Sequence, residues 1–234
     1  SGETYPSGIL RIKEKDPPRT TLSTSYPYCE DSVRHALIAL HGLTLTTGQY
    51  QAACHTLAYF AGQVKEGLLP NRWVDHKEAA FLHDQDREPD YASIDAPRWL
   101  IHAAYEYLRY SEDYEMVEGI LFPVLSSILE SFVKGTNFDI RVASDGLVAG
   151  AQKRKALTWM DAKVGNWVVT PREGKPVEVQ ALWYNALSAM VYMADLFGKA
   201  SLKKIYFELA LKAKGSFNQL FWDSSLGYLY DVVD

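Results

Sequence analysis

The stretch Val177-Glu178-Val179-Gln180-Ala181-Leu182-Trp183-Tyr184-Asn185-Ala186-Leu187-Ser188-Ala189-Met190-Val191-Tyr192-Met193-Ala194 repeats its apolar side chains at helical spacing. Val179, Leu182, Trp183, Ala186, Leu187, Met190, Val191 and Ala194 fall on one broad stripe. Gly198 breaks the pattern, and a second stripe runs through Leu202, Ile205, Leu209, Ala213, Phe217, Leu220 and Phe221. A glycine between two such runs ends one helix before the next begins, so 177–221 reads as a helical hairpin.

Upstream the same reading holds twice more. Trp99, Leu100, Ala103, Ala104, Tyr107 and Leu108 share one face, followed by Val117, Ile120, Leu121, Val124, Leu125, Ile128, Leu129 and Phe132, with Asp113 as the expected N-cap between them. Before that, Val33, Leu37, Leu40 and Thr44 precede Ala53, Leu57, Phe60, Ala61 and Val64 across Thr47-Gly48. Three consecutive hairpins, each apolar along one stripe, predict an all-α layered fold, and a closed ring of hairpins is the favoured arrangement.

The connections carry a different texture. Phe138-Asp139-Ile140-Arg141-Val142 with the Ser144-Asp145-Gly146 turn predicts a short β-hairpin, and 164–170 adds another extended piece. The segments 67–94 and 135–178 both exceed the roughly 12 to 15 residues usual for loops without function. In a ring of helices such loops form the rim of a pocket. Residues 1–25, with Pro6, Pro17 and Pro18, read as an N-terminal extension or linker.

Composition excludes several classes. With 24 basic against 29 acidic residues among 234, a net charge of −5 leaves no basic stripe for a phosphate backbone, so nucleic acid is not an expected partner. Apolar runs such as 120–125 fall short of the roughly 20 residues of a spanning helix, and no leader opens the chain, so no membrane partner is expected. Only Cys29 and Cys54 are present, without zinc spacing, which fits structural thiols in a reducing, cytoplasmic setting. His76, His83 and Asp84 to Asp86 are spaced too irregularly to predict a metal.

One carboxylate stands out by its surroundings. In Leu157-Thr158-Trp159-Met160-Asp161-Ala162-Lys163-Val164-Gly165, Asp161 follows a bulky aromatic and an apolar residue on the long loop. That setting suits a general acid whose protonated form is favoured; capping a turn or pairing with Lys163 is the structural alternative. Asn71 and Arg72, in a loop after Pro70, offer an amide and a guanidinium to sugar hydroxyls. Trp159 and Trp167 are the expected stacking surfaces, whereas Trp99 and Trp183 fit their helices' core stripes.

Gly67-Leu68-Leu69-Pro70-Asn71-Arg72, Tyr91-Ala92-Ser93-Ile94-Asp95-Ala96, Thr158-Trp159-Met160-Asp161, Pro171-Arg172 with Gly174-Lys175-Pro176-Val177-Glu178, and Ala181-Leu182-Trp183-Tyr184-Asn185-Ala186-Leu187 occur in this order. Together they resemble the amylo-α-1,6-glucosidase domain of glycogen debranching enzymes, over 26–234. The resemblance implies an (α/α)6 toroid of the six-hairpin glycosidase type, here a partial toroid of about six helices with a small β insertion. It implies hydrolysis of α-1,6-linked glucose at branch points of glycogen-like glucans with inversion, a branched α-glucan as substrate, and no cofactor or metal.

By the same resemblance Asp161 corresponds to the general acid, and the base is a Glu expected beyond Asp234. Asp95 and Glu178 are internal carboxylates read first as substrate or framework contacts, Asp95 also as a helix cap. The resemblance further places Arg34 and His35 at the terminal glucose, where His35 departs from the family's Asp and puts binding in doubt, and Lys163 among the substrate contacts. Alternatives from other classes are a carbohydrate-binding relative impaired in catalysis, and another α/α-toroid sugar enzyme such as a trehalase-like hydrolase or an epimerase.

Overall fold

The computed structural model describes residues 3–4, 9–12, 19–22, 32–75, 87–151 and 155–234, with the backbone alone for 3–22, 72–75 and 87–88. Helix α1 (Val33–Leu40) starts at Ser32, whose hydroxyl accepts from the His35 amide, and continues as a π-helical turn, His41–Leu45. Helix α2 (Tyr50–Ala61) follows the turn at Gly48, where φ is +72°. Helix α3 (Ala96–Ser111) has a proline in its first turn, where no intrahelical N–H is needed.

Helix α4 (Tyr114–Met116), a π-helical turn (Val117–Leu121) and helix α5 (Phe122–Lys134) form one continuous run. It begins at Asp113, as the sequence predicts: one carboxylate oxygen accepts from Met116 N at 3.1 Å and the other from the Tyr107 hydroxyl at 2.7 Å. Helices α6 (Val177–Leu196) and α7 (Ala200–Leu220) make the last hairpin around Gly198, at φ +67°.

Side-chain pairs fix the directions of the helices. Arg34 meets Asp95 at the starts of α1 and α3, and His41 meets Tyr110 at their ends. His102 meets Asn185, and Tyr105 meets Tyr192, between α3 and α6. So α1, α3 and α6, the first member of each hairpin, run side by side in one direction and bring their N-termini to the same end.

The core lies between these helices and their partners. Trp183 is fully buried, donates its indole N–H to Gly146 O at 3.0 Å and stacks on Phe132. The apolar stripes mostly go inward as expected, with Leu37, Leu57, Leu100, Leu125 and Met190 at 1% exposure or less. Ile120, Ile205 and Leu220 do not: they are exposed, because each stripe is wider than the face its neighbour covers.

The connecting segments and one helix add detail to the sequence reading or depart from it. Phe138 and Asp139 belong to a tight turn with φ of +64° and +56°, so the predicted hairpin starts later, pairing Arg141–Val142 with Val148–Ala149. Lys163–Val164 pairs with Trp167–Val168, as the extended reading of 164–170 suggests. Arg72–Asp75 pairs with Arg87–Asp90 inside the long loop, and the segment 1–25 contains three paired strands, Glu3–Thr4, Ile9–Ile12 and Arg19–Leu22. Tyr114–Lys134, 21 residues, is apolar and long enough to cross a membrane on those two criteria, against the expectation from 120–125. Two of its three serines turn their hydroxyls back onto the helix, Ser127 to Val124 O and Ser131 to Ser127 O, and the fold buries half of its apolar window.

The Gly-Leu-Leu-Pro-Asn stretch is a structural strap. Gly67 sits at φ +77° against α5, Leu68 and Leu69 are buried, and Asn71 O accepts the first helical N–H of α1, from Val33, at 2.9 Å. A Cβ on Gly67 would lie 2.2 Å from the Ser131 Cβ. Gly67→Ala combines that overlap with a left-handed φ and is expected to cost about 3 kcal/mol, read as a lowered urea midpoint; a loss under about 0.5 kcal/mol would contradict this docking.

Candidate functional site

At the converging N-termini, the Arg34 guanidinium is 4% exposed. Its Nε lies 2.8 Å from Asp95 Oδ2, and Nη2 donates to Asp95 Oδ1 at 2.9 Å. Ser93 donates its hydroxyl to Asp95 Oδ1 at 2.7 Å and accepts from Ala96 N at 3.2 Å. Ser93 therefore caps α3 and Asp95 does not, which corrects the capping reading: its oxygens are held by arginine and serine.

The remaining guanidinium nitrogen of Arg34, Nη1, donates to Asp161 Oδ2 at 3.3 Å. The two residues are brought together by the backbone: Ile94 N donates to Leu157 O at 2.8 Å, and Leu157 and Thr158 are buried just before Trp159. Gly150 makes room for this crossing, since a Cβ there would lie 2.9 Å from Ile94 Cδ1. The Asp161 side chain is 41% exposed, so it is neither enclosed by apolar neighbours nor paired with Lys163, as the sequence suggested.

Beside this cluster opens a cavity of about 590 Å³. Helix α1 lines it with Arg34, His35 and Ile38, helix α3 with Asp95, Trp99 and His102, and helix α6 with Glu178, Leu182 and Asn185. Trp159 forms a further wall, 55% exposed. The i, i+4, i+7 spacing of the α3 and α6 sets places each on one helix face. Three helix N-termini at the charged end add a positive potential that favours carboxylates there.

Glu178, in the first turn of α6, is gripped by both terminal nitrogens of Arg172, one of them 2.7 Å from Oε2. Arg172 also reaches Asp231 Oδ1 at 2.7 Å, tying the pocket wall to the strand Val232–Val233. At the far end, Asn185 Nδ2 lies 3.2 Å from His102 Nδ1, and Trp99 meets the same imidazole edge-on. Burial pushes the His102 pKa below its ordinary value, assisted by the charge of His41 and opposed by Glu106.

Residues 8–234 match the family model for amylo-alpha-1,6-glucosidase. The chain belongs to that family. It is 28% identical over 217 aligned residues to the glycogen debranching enzyme of Saccharomyces cerevisiae, a match covering 69% of this chain and 13% of the yeast protein. The chain thus spans a small fraction of that relative's length. A rhamnosidase from Klebsiella oxytoca with rhamnose bound superposes with a TM-score of 0.59 at 16% identity, over 84% of this chain and 33% of its own. The all-α, six-hairpin glycosidase type of fold is common to both, and three helical hairpins are seen among the described residues of this glucosidase-family chain.

Of the residues singled out in the sequence, Arg34, His35, Asp95, Trp159 and Glu178 meet at the cavity, with Asp161 joined to it through Arg34. Asn71 does not: it is 7% exposed and serves the strap under α1. Lys163 and Trp167 lie on an exposed hairpin and do not line the cavity. The side chains of Arg72 and Trp73, and all of His76, His83 and Asp84 to Asp86, lie outside the described residues, as does Cys29. Trp99, assigned to the core, is half-buried and lines the cavity. Ile38, His102 and Asn185 went unremarked as site residues, although the 95/99/102 and 178/182/185 spacings in the glucosidase-family chain were available to point to them.

Asp95 also faces a second buried arginine, Arg98, 1% exposed, whose charge feels the Asp95 carboxylate. Asp95→Asn leaves two buried guanidiniums without their shared counter-charge, with an expected loss of about 3–5 kcal/mol by urea unfolding; an unchanged midpoint would show that Asp95 does not balance them.

The lowered His102 pKa sets a pH dependence. Below the unfolded value of 6.5 the unfolded chain binds the proton more readily, so the stability tied to neutral His102 is complete above that pH and is lost as pH falls. His102→Gln removes this contribution, so the fall in unfolding midpoint between pH 7.5 and 5.5 should be smaller in the variant than in the parent.

Proposed function

We propose that this domain hydrolyses α-1,6-linked glucose at branch points of glycogen-like α-glucans with inversion, Asp161 acting as general acid. The observation that carries the reading is the placement of Asp161: accessible, oriented by buried Arg34, and adjacent to a cavity walled by Trp99 and Trp159. Trp faces and a few convergent polar groups suit a pyranose ring, whose faces are apolar and whose rim is hydroxylated. The family assignment and the sugar-bound six-hairpin relative support the same substrate class.

In this mechanism the Asp161 proton passes to the glycosidic oxygen as its bond to the anomeric carbon breaks. Water adds to the opposite face of that carbon and gives its proton to a second carboxylate. Asp95 and Glu178 are both committed to arginines, Asp95 to Arg34 and Glu178 to Arg172. We assign the base, as the family resemblance implies, to a Glu in chain beyond Asp234, and keep Asp95 and Glu178 as framework or substrate contacts. The same commitment favours a second reading, a domain that binds glucan without cleaving it.

Glucose release from a branched limit dextrin and from a linear maltooligosaccharide separates the two, measured on the 234-residue chain and on a protein continuing past Asp234. Release from the branched substrate by the longer protein supports hydrolysis, and saturable dextrin binding with no release supports the second reading. In the active protein Asp161→Asn should lower turnover at least about 100-fold with little change in unfolding midpoint; undiminished turnover would remove Asp161 from the acid's role.

A further inference from the structure

We infer that His102 and Asn185 form the reading end of a second sugar subsite, with Trp99 as its stacking face, at the end of the cavity away from Asp161. The inference rests on the carbohydrate reading of this pocket and extends it to a second ring.

The cavity is polarised along the helices. From Asp95 to His102 on α3, and from Glu178 to Asn185 on α6, is seven residues, about 10 Å at 1.5 Å per residue. That exceeds one pyranose ring. At the near end the lining carries three charged side chains, Arg34, Asp95 and Glu178, with His35 beside Arg34. Between the ends the lining is apolar, with Ile38, Trp99 and Leu182. At the far end the polar groups are an imidazole and a carboxamide.

The chemistry of that pair follows from their contact. The Asn185 amide nitrogen only donates, so His102 Nδ1 accepts and the neutral ring carries its proton on Nε2. The pair is thereby left with two spare donors, Nε2–H of His102 and the second N–H of the Asn185 amide, and one spare acceptor, Oδ1 of Asn185. Uncharged donors beside an acceptor match neighbouring hydroxyls of a sugar, which both give and take hydrogen bonds, whereas a phosphate or carboxylate uses only the donors and meets the Asn185 carbonyl oxygen with like charge. Burial keeps the imidazole neutral, which preserves this pattern. Trp99 lies edge-on to the same imidazole at a centroid distance of 5.7 Å, so ring and polar pair can serve one ligand.

The test is sugar binding by the 234-residue chain, followed by tryptophan fluorescence with glucose and maltotriose as probes. His102→Ala and Asn185→Ala should each weaken maltotriose about tenfold while leaving glucose, held at the charged end, within about twofold. His102→Gln, which keeps a neutral donor, should stay within a few-fold of the parent for maltotriose and guards against a folding defect in His102→Ala. Lys163→Ala, on the exposed hairpin, should change neither sugar.

Equal losses for glucose and maltotriose, or no loss for either, would overturn the second subsite while leaving the carbohydrate pocket in place. A parent chain that responds to no sugar also overturns it. Glucose release from limit dextrin then decides separately whether the hydrolytic reading stands.

Discussion

A carboxylate buried to 2% exposure between two arginines is tolerable only if each charge is matched. Asp95 meets that condition with Arg34 on one side and Arg98 on the other, and much of the fold follows. Arg98 donates to Ile94 O and spreads its guanidinium over Phe132 and Trp183, 4.4 and 5.5 Å from their centroids. Its Nε and Nη2 find no hydrogen-bond partner among the described residues, and burial pushes its pKa down to about 9 even with Asp95 nearby. It stays charged at neutral pH, and Asp95 is what makes that charge acceptable. Through Arg98 the carboxylate is coupled to α5 and α6; through Arg34 it is coupled to α1 and the Asp161 loop.

The same constraint gives the cavity its polarity. Charge is concentrated where three helix N-termini converge, because there the helix dipoles favour carboxylates and the arginines hold them. One helical turn further along, nothing supplies counter-charges, and the lining turns apolar. Two turns along, the polar groups that line the cavity are an imidazole and a carboxamide. A sugar bound lengthwise would meet charged hydrogen-bond partners, which are strong, at one ring and neutral ones, which are weaker but selective for hydroxyl geometry, at the next.

The hairpins were legible because a stripe of period 3.6 states its own geometry, and the cap at Asp113 and the break at Gly198 fall where local chemistry requires them. What the stripes do not state is which edge meets a neighbour and which meets a cavity. Trp99 and Leu182 sit at stripe edges and turn to the pocket, while Ile120 and Ile205 turn to the surface. The setting of Asp161 was illegible for a different reason: its partner Arg34 is 127 positions away, and the Ile94–Leu157 hydrogen bond that joins the two segments leaves no local trace. Reading Trp159 and Met160 as its enclosure substituted sequence neighbours for spatial ones.

Motif and site need not coincide, and the Gly67 strap shows why. Its residues are specific to the family resemblance, yet each is explained by docking: a left-handed glycine pressed on α5, two buried leucines, and an asparagine carbonyl that takes the first N–H of α1. That carbonyl fixes where α1 begins, and Arg34 is the next residue along. A strap that shifted would move the guanidinium that orients Asp161, so the position of the site depends on residues that do not line the cavity. His102 and Asn185 are the converse case. Asn185 lies within a motif of the family resemblance and His102 within ordinary helical sequence, and only the packing of α3 beside α6 makes them a pair. A site built between parallel helices is therefore read from matching intervals on two helices, here 95 to 102 and 178 to 185, before it is read from any single motif.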